Sequence, residues 1–142
     1  MKSPDEVKLE LTKRWIAKAD EDYAVSEILL SEEISFPSPI CFHCQQACEK
    51  YLKAYLVWYQ IEFPKTHDLD ELLDLIAKQD ANFSKFLQDI SILSVYGVDV
   101  RYPGDIPIST DDDAKQALEL TKQIRESVKN ELDKLMFITT TE

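Results

Sequence analysis

The sequence is poor in glycine, in positive charge and in long apolar runs. Gly97 and Gly104 are the only glycines among 142 residues, whereas a β-rich chain with many tight turns normally needs more of them. No stretch reaches the roughly 20 apolar residues of a membrane span, and the charged start MKSPDEVKLELTKRW lacks the apolar centre of a signal peptide. We therefore expect long helices, no membrane association and a cytoplasmic protein.

The charge balance is strongly acidic, because 16 Lys and Arg residues face 27 Asp and Glu residues and leave a net charge of −11. Non-specific nucleic-acid binding is not expected, since it depends on Lys and Arg neutralising phosphates. Residues 34–67 are the exception, with three lysines against two glutamates and both histidines of the chain. An anion would meet the least repulsion there.

Apolar periodicity predicts five helices in one domain over residues 1–142. The predicted helices are 5–33, Pro39 to about Ile61, a short helix from Leu69, 82–95, and 111 to about 136. The two prolines of SFPSP separate the first two helices, with Ser38 as the expected cap. In the fourth helix the residues expected to face inward are Phe83, Phe86, Leu87, Ile90 and Leu93. The predicted fold class is an all-α, up-and-down bundle with a four-helix core.

Cys41, Cys44 and Cys48 lie at i, i+3 and i+7 of the second helix, on its apolar face. Structural zinc sites usually combine C-x2-C with a second ligand pair elsewhere, and the sequence has no such pair. A cysteine nucleophile needs an adjacent base, but His43 projects from another side of the helix. Buried cysteines without a metal or cofactor are therefore expected.

A polar row is more informative, because Gln46, Glu49, Lys50 and Lys53 share one face of this otherwise apolar helix. The simplest interpretation is a solvated face, with an i, i+4 pair of Glu49 and Lys53 worth about 0.3–0.5 kcal/mol. The alternative is a binding surface. Asp22 falls within the apolar stripe of the first helix, where the ordinary explanation is a carboxylate at the stripe edge that reaches water.

The segment VDVRYPG, residues 98–104, combines a guanidinium and a phenol with a rigid turn. Arg101 suits bidentate contacts with carboxylate or phosphate, and Tyr102 can stack on a base. The alternative is a helix-ending turn in which Arg101 forms a surface ion pair.

Four segments together resemble the HEPN domain family of small helical proteins of bacteria and archaea. They are WIAKADEDYAVSEILL, CFHCQQACEKYLKAYL, PKTHDLDELL and VYGVDVRYPGD, and they span about residues 12–105 in family order. The resemblance implies a bundle of four or five helices, often a homodimer, frequently paired with a minimal nucleotidyltransferase. It also implies a proposed nucleotide-binding role and, for some pairs, a toxin–antitoxin role. The family's motif positions fall on Asp22, Gln46, Glu49, Lys50, Lys53, His67, Asp68, Arg101, Tyr102 and Pro103.

One departure from the family pattern bears on catalysis. HEPN members that cut RNA carry Arg-x4-6-His, whose histidine serves in acid–base or charge-stabilising work. None of the three arginines here is followed by a histidine at that distance, and after Arg101 the positions hold Ile106, Pro107 and Ile108. We therefore favour a non-catalytic binding module for a nucleotide-like anion, a partner nucleotidyltransferase, or both. The alternatives are a ribonuclease toxin that uses His67 in a non-standard site and a purely structural dimerisation protein.

The binding-module hypothesis requires the candidate side chains to meet in space. Lys50 and Lys53 would supply point charges, Arg101 a bidentate fork and Tyr102 a stacking edge. The two carboxylates of the set would orient these bases, and His67 would donate or accept a hydrogen bond.

Overall fold

Capping groups in the sequence mark where the helices begin. Ser3 and Glu6 form a capping box at the first helix, each side chain bonding the other residue's backbone N–H. Asp68 accepts a hydrogen bond from the backbone N–H two residues later, at the start of the third α-helix. Thr110 and Asp113 form a second reciprocal pair at the start of the last helix.

The computed structural model describes residues 1–33, 36–97 and 109–140. Its elements are α1 (Pro4–Ser31), α2 (Pro37–Trp58), α3 (Leu69–Gln79), α4 (Ala81–Phe86), a 3₁₀ helix (Gln88–Gly97) and α5 (Asp111–Thr140). Within these ranges the chain is helical and has no β-strand, which confirms the predicted all-α bundle. None of the described helices combines the length and hydropathy that a membrane span requires.

The start of α2 differs from the prediction of a Ser38 cap. The helix begins at Pro37, and Phe36 occupies the cap position without a side-chain hydrogen bond. Because the first backbone N–H groups of a helix have no partner within it, a proline there loses nothing. Both Pro37 and Pro39 therefore fit into the first turn.

The continuous α-helix predicted over 82–95 is wrong, since the chain forms the short α4 followed by the 3₁₀ helix. The buried residues Leu87, Ile90 and Leu93 repeat every three positions, which is the period of a 3₁₀ helix rather than that of an α-helix. Phe86, the last residue of α4, was predicted to face inward but is 68% exposed.

α2 is the central element of the bundle. Of its 22 residues 14 are buried, so it has no broad solvated face. Its neighbour α1 runs in the opposite direction, because Ser26 of α1 hydrogen-bonds the carbonyl of Ile40 while Lys8 lies 4.3 Å from the ring centre of Trp58. The core therefore surrounds α2.

α3 runs in the same direction as α2, because the extended segment 60–68 first carries the chain back along α2. This return places His67 beside Glu49, 2.7 Å apart through Nδ1 and Oε1. After α3, Phe83 stacks on Tyr55, two turns further along α2, with 5.0 Å between ring centres. The connection between these helices thus brings a loop histidine against the side of α2.

We expect Leu87→Ala to lower the free energy of unfolding by about 2–5 kcal/mol, because it empties a fully packed site. The neighbouring Phe86→Ala should change it by less than about 0.5 kcal/mol, since Phe86 faces water. Urea denaturation of both variants measures the difference. Equal losses in the two variants would contradict the burial of Leu87 and the exposure of Phe86.

Candidate binding surface on the second helix

The polar row of α2 is not a solvated face, contrary to its simplest interpretation. Glu49 is 3% and Lys53 is 7% exposed, and Lys53 Nζ donates to Glu49 Oε2 over 3.0 Å. The ammonium also lies 5.4 Å from the ring centre of Trp15 and 5.7 Å from that of Phe63, where aromatic faces attract a cation. Both charges are therefore withdrawn from solvent and satisfied within the fold.

The other oxygen of Glu49 holds His67. Its Oε1 lies 2.7 Å from Nδ1 of the imidazole, whose side chain is 64% exposed. Because an ionised carboxylate only accepts hydrogen bonds, Nδ1 must carry a proton in this contact. A neutral His67 then presents Nε2 as an acceptor outside the Glu49 contact, held in orientation by a buried carboxylate.

Gln45 was missed by sequence reasoning, which selected its neighbour Gln46. Its side chain is fully buried, and its Nε2 donates to the backbone carbonyl of His67 over 2.9 Å. Gln46 donates in turn to Gln45 Oε1 over 2.8 Å. The i, i+4 spacing to Glu49 was the only sequence signal that placed Gln45 on this side of the helix.

Gly97 ends the 3₁₀ helix directly against Gln45. A Cβ atom at this position would lie only 2.4 Å from Cδ of Gln45, which is inside van der Waals contact. Any side chain at position 97 would therefore have to displace the buried amide group of Gln45.

Asp22 lies where α1 packs on α2 and is mostly buried instead of reaching freely into water. Its Oδ1 lies 2.9 Å from Nδ1 of His43, and its Oδ2 accepts from Lys50 Nζ at 2.5 Å. Sequence reasoning selected Asp22 and Lys50 but missed His43, because the pairing depends on how two helices pack. Lys50 is thereby neutralised by a carboxylate of another helix.

The structure brings together only part of the predicted set. Lys53 and His67 meet on Glu49, whereas Lys50 turns to Asp22. Asp68 serves as the cap of α3. Three predicted positions lie outside the described residues: Arg101, Tyr102 and Pro103.

The two lysines of the row do not supply a net positive charge, since Asp22 and Glu49 each neutralise one of them. Beside His67, the first turns of α3 add exposed carboxylates. They are Asp68, Asp70, Glu71 and Asp74. An anion at this surface would have to compete with a buried carboxylate for a lysine and would face further negative charge.

The three cysteines are free and buried, as predicted. Burial raises the pKa of the Cys48 thiol to about 12, so it is almost wholly protonated at neutral pH and a poor nucleophile. In the described ranges no group of three His, Cys, Asp or Glu residues has the arrangement of a metal site.

A second polar cluster, also missed by sequence reasoning, surrounds Asp20. Tyr51 donates to Asp20 Oδ1, Arg125 Nε lies 3.3 Å from the same oxygen, and Lys129 Nζ lies 2.8 Å from Oδ2. Burial raises the pKa of the Asp20 carboxyl, but the hydrogen bonds from Lys129 and Tyr51 outweigh it and hold the pKa below its ordinary value. This cluster ties α1 to α2 and α5.

We expect Glu49→Gln to lower the free energy of unfolding by about 3–5 kcal/mol, because it leaves the Lys53 ammonium buried without its counter-charge. The same substitution at the exposed Glu71 should change stability by less than about 0.5 kcal/mol. Urea denaturation at neutral pH compares the two. A loss at Glu49 no larger than that at Glu71 would show that the pair is not buried in solution.

The comparisons with known proteins agree with this architecture. The model of the HEPN domain matches residues 12–131, which is most of the chain. No curated protein and no solved structure gives a match. The matched range includes the side chains of the candidate surface, among them Asp22, Glu49 and His67. The chain belongs to the HEPN domain family.

Proposed function

We propose that this HEPN domain is a binding module that docks a partner protein at the surface around His67. The partner class implied by the family is a minimal nucleotidyltransferase, in a toxin–antitoxin setting or another paired role. The observation that carries the proposal is the contact between Glu49 and His67. It holds an exposed imidazole in a fixed orientation, which lowers the conformational entropy lost when a partner binds.

The charges at this surface favour a protein over a free nucleotide. Lys50 and Lys53 already have carboxylate partners, so neither is ready to accept a phosphate without leaving an acid uncompensated. The exposed acids at the start of α3 would repel a phosphate and attract Lys or Arg side chains of a partner. Nucleotide binding by this same surface is therefore the weaker alternative.

A homodimer, which the family also implies, is supported by exposed apolar residues beside Asp22. Val25 follows it by one turn of α1, and Phe42 lies against His43 with 5.5 Å between ring centres. Ile28 and Phe36 extend the exposed apolar surface near the end of α1 and the start of α2. Apolar and aromatic residues of this kind anchor protein interfaces. We propose that this second surface mediates self-association, as part of a cytoplasmic domain over residues 1–142.

Co-expression with a minimal nucleotidyltransferase, the partner class implied by the family, tests the docking proposal. We expect a tagged parent chain to retain it, and His67→Ala to weaken the complex by roughly tenfold or more, since a charge-assisted contact contributes about 1.5–3 kcal/mol. His43→Ala is the matched control and should bind like the parent. Undiminished binding by His67→Ala would place the interface elsewhere.

Calorimetric titration with ATP, GTP and nucleoside monophosphates tests the nucleotide alternative on the same protein. The neutralised lysines predict no heat and no change in melting temperature at roughly millimolar ligand. Binding that is lost in Lys50→Ala would instead assign this surface to a nucleotide.

Ribonuclease activity is a second candidate, favoured by one observation. An imidazole oriented by a carboxylate, as His67 is by Glu49, is an arrangement suited to general base catalysis. We expect no cleavage when the purified chain is incubated with total RNA, because no conforming Arg-x4-6-His pair supports it. Cleavage that disappears in His67→Ala and persists in His43→Ala would make the domain an enzyme.

A further inference from the structure

A groove with a volume of about 350 Å³ runs between α1 and α5. Its lining residues are Lys13, Ile16, Ala17, Asp20, Lys129, Leu132 and Asp133. The residues from α1 lie at i, i+3, i+4 and i+7, so they share one face of that helix. Apolar atoms supply most of the groove surface, and its size falls within the roughly 300–1,000 Å³ range of small-molecule sites.

This groove is separate from the surface around His67. Asp20 lines the groove, whereas Asp22 faces α2 and pairs with His43 and Lys50. Two positions along an α-helix correspond to a rotation of roughly 200°, so the two carboxylates lie on opposite sides of α1. A ligand in the groove would therefore leave the proposed docking surface free.

The Asp20 end of the groove carries an excess of positive charge. One carboxylate faces two cations, because both Arg125 and Lys129 lie within ion-pair distance of Asp20. The remaining charged residues of the groove, Lys13 and Asp133, cancel one another. The groove together with Arg125 thus has a net charge of +1, in a chain whose net charge is −11.

The donors at this end retain hydrogen-bonding capacity. A guanidinium carries five N–H donors and an ammonium three. Arg125 contacts Asp20 through Nε, and Lys129 contacts it through Nζ. Both side chains are partly exposed, so an incoming anion can be hydrogen-bonded without breaking the contacts to Asp20.

We propose that this groove binds a small monocarboxylate, with the carboxylate at Arg125 and Lys129 and an apolar chain or ring along Ile16, Ala17 and Leu132. A monoanion balances the single excess charge. A dianionic phosphate would leave a negative excess in a partly desolvated site, which is costly. A cationic ligand is disfavoured because Asp20 already has two cationic partners.

Octanoate is the probe, and octanamide is its uncharged control. We expect octanoate to raise the melting temperature of the purified chain and to bind in calorimetry with a Kd below roughly 1 mM. Octanamide should bind at least about tenfold more weakly, because it lacks the charge that Arg125 and Lys129 recognise.

Substitutions locate the probe within the groove. Ala17 and Ala24 are both exposed and lie on the same face of α1, seven residues apart, but only Ala17 lines the groove. Ala17→Phe should abolish octanoate binding by filling the groove, whereas Ala24→Phe should bind like the parent. Lys129→Met keeps an apolar stem without the charge and should weaken binding by about tenfold.

Three results would overturn this assignment. They are the absence of binding at about 10 mM octanoate, equal affinity for octanamide, and equal binding by the Ala17→Phe and Ala24→Phe variants. Far-UV circular dichroism of each variant shows whether it is folded, so that a loss of binding is not confused with a loss of structure. None of these outcomes depends on whether His67 docks a partner.

Discussion

The buried carboxylate of Glu49 is the constraint on which the described surface depends. An isolated ion in a protein interior costs several kcal/mol, so a buried glutamate is tolerated only when it is paired and hydrogen-bonded. Lys53 supplies the counter-charge from the same helix, and His67 occupies the second oxygen. The extended return of residues 60–68 along α2 is what brings the imidazole there. The fold of this segment and the pairing of this one acid are therefore linked.

The contacts of α1 with its neighbouring helices also depend on carboxylates that are paired with basic side chains. Asp22 joins α1 to α2 through His43 and Lys50, while Asp20 joins it to α2 and α5 through Tyr51, Arg125 and Lys129. Asp20 and Asp22 thus lie on opposite sides of α1, and their directional contacts help to fix how α1 packs against α2 and α5. The apolar core alone would be less directional, since hydrophobic burial depends on area and not on the orientation of individual groups.

Much of the architecture could be predicted from periodicity and capping groups, which are local properties of the chain. The all-α bundle followed from such signals, and so did the burial of the three cysteines. The 3₁₀ helix could also have been found, since Leu87, Ile90 and Leu93 repeat every three residues. It was missed because apolar spacings of three and four were both assigned to an α-helix.

The site was less predictable because its contacts join residues far apart in sequence. Helical spacing placed Glu49 and Lys53 on one face but could not show that the segment 60–68 covers it, so a solvated face was the simplest interpretation. His43 and Gln45 gain their roles from Asp22 and from the backbone of His67, 21 and 22 residues away. The roles of Arg101 and Tyr102 stay predictions.

The most direct test of the central claim is a double-mutant cycle of Glu49→Gln and Lys53→Met, with stability measured by urea denaturation at neutral pH. If Glu49 and Lys53 form a buried pair, the double variant should be more stable than the sum of the single losses predicts. The coupling energy should then exceed about 1 kcal/mol. A coupling of about 0.3–0.5 kcal/mol, typical of an exposed i, i+4 pair, would contradict the account.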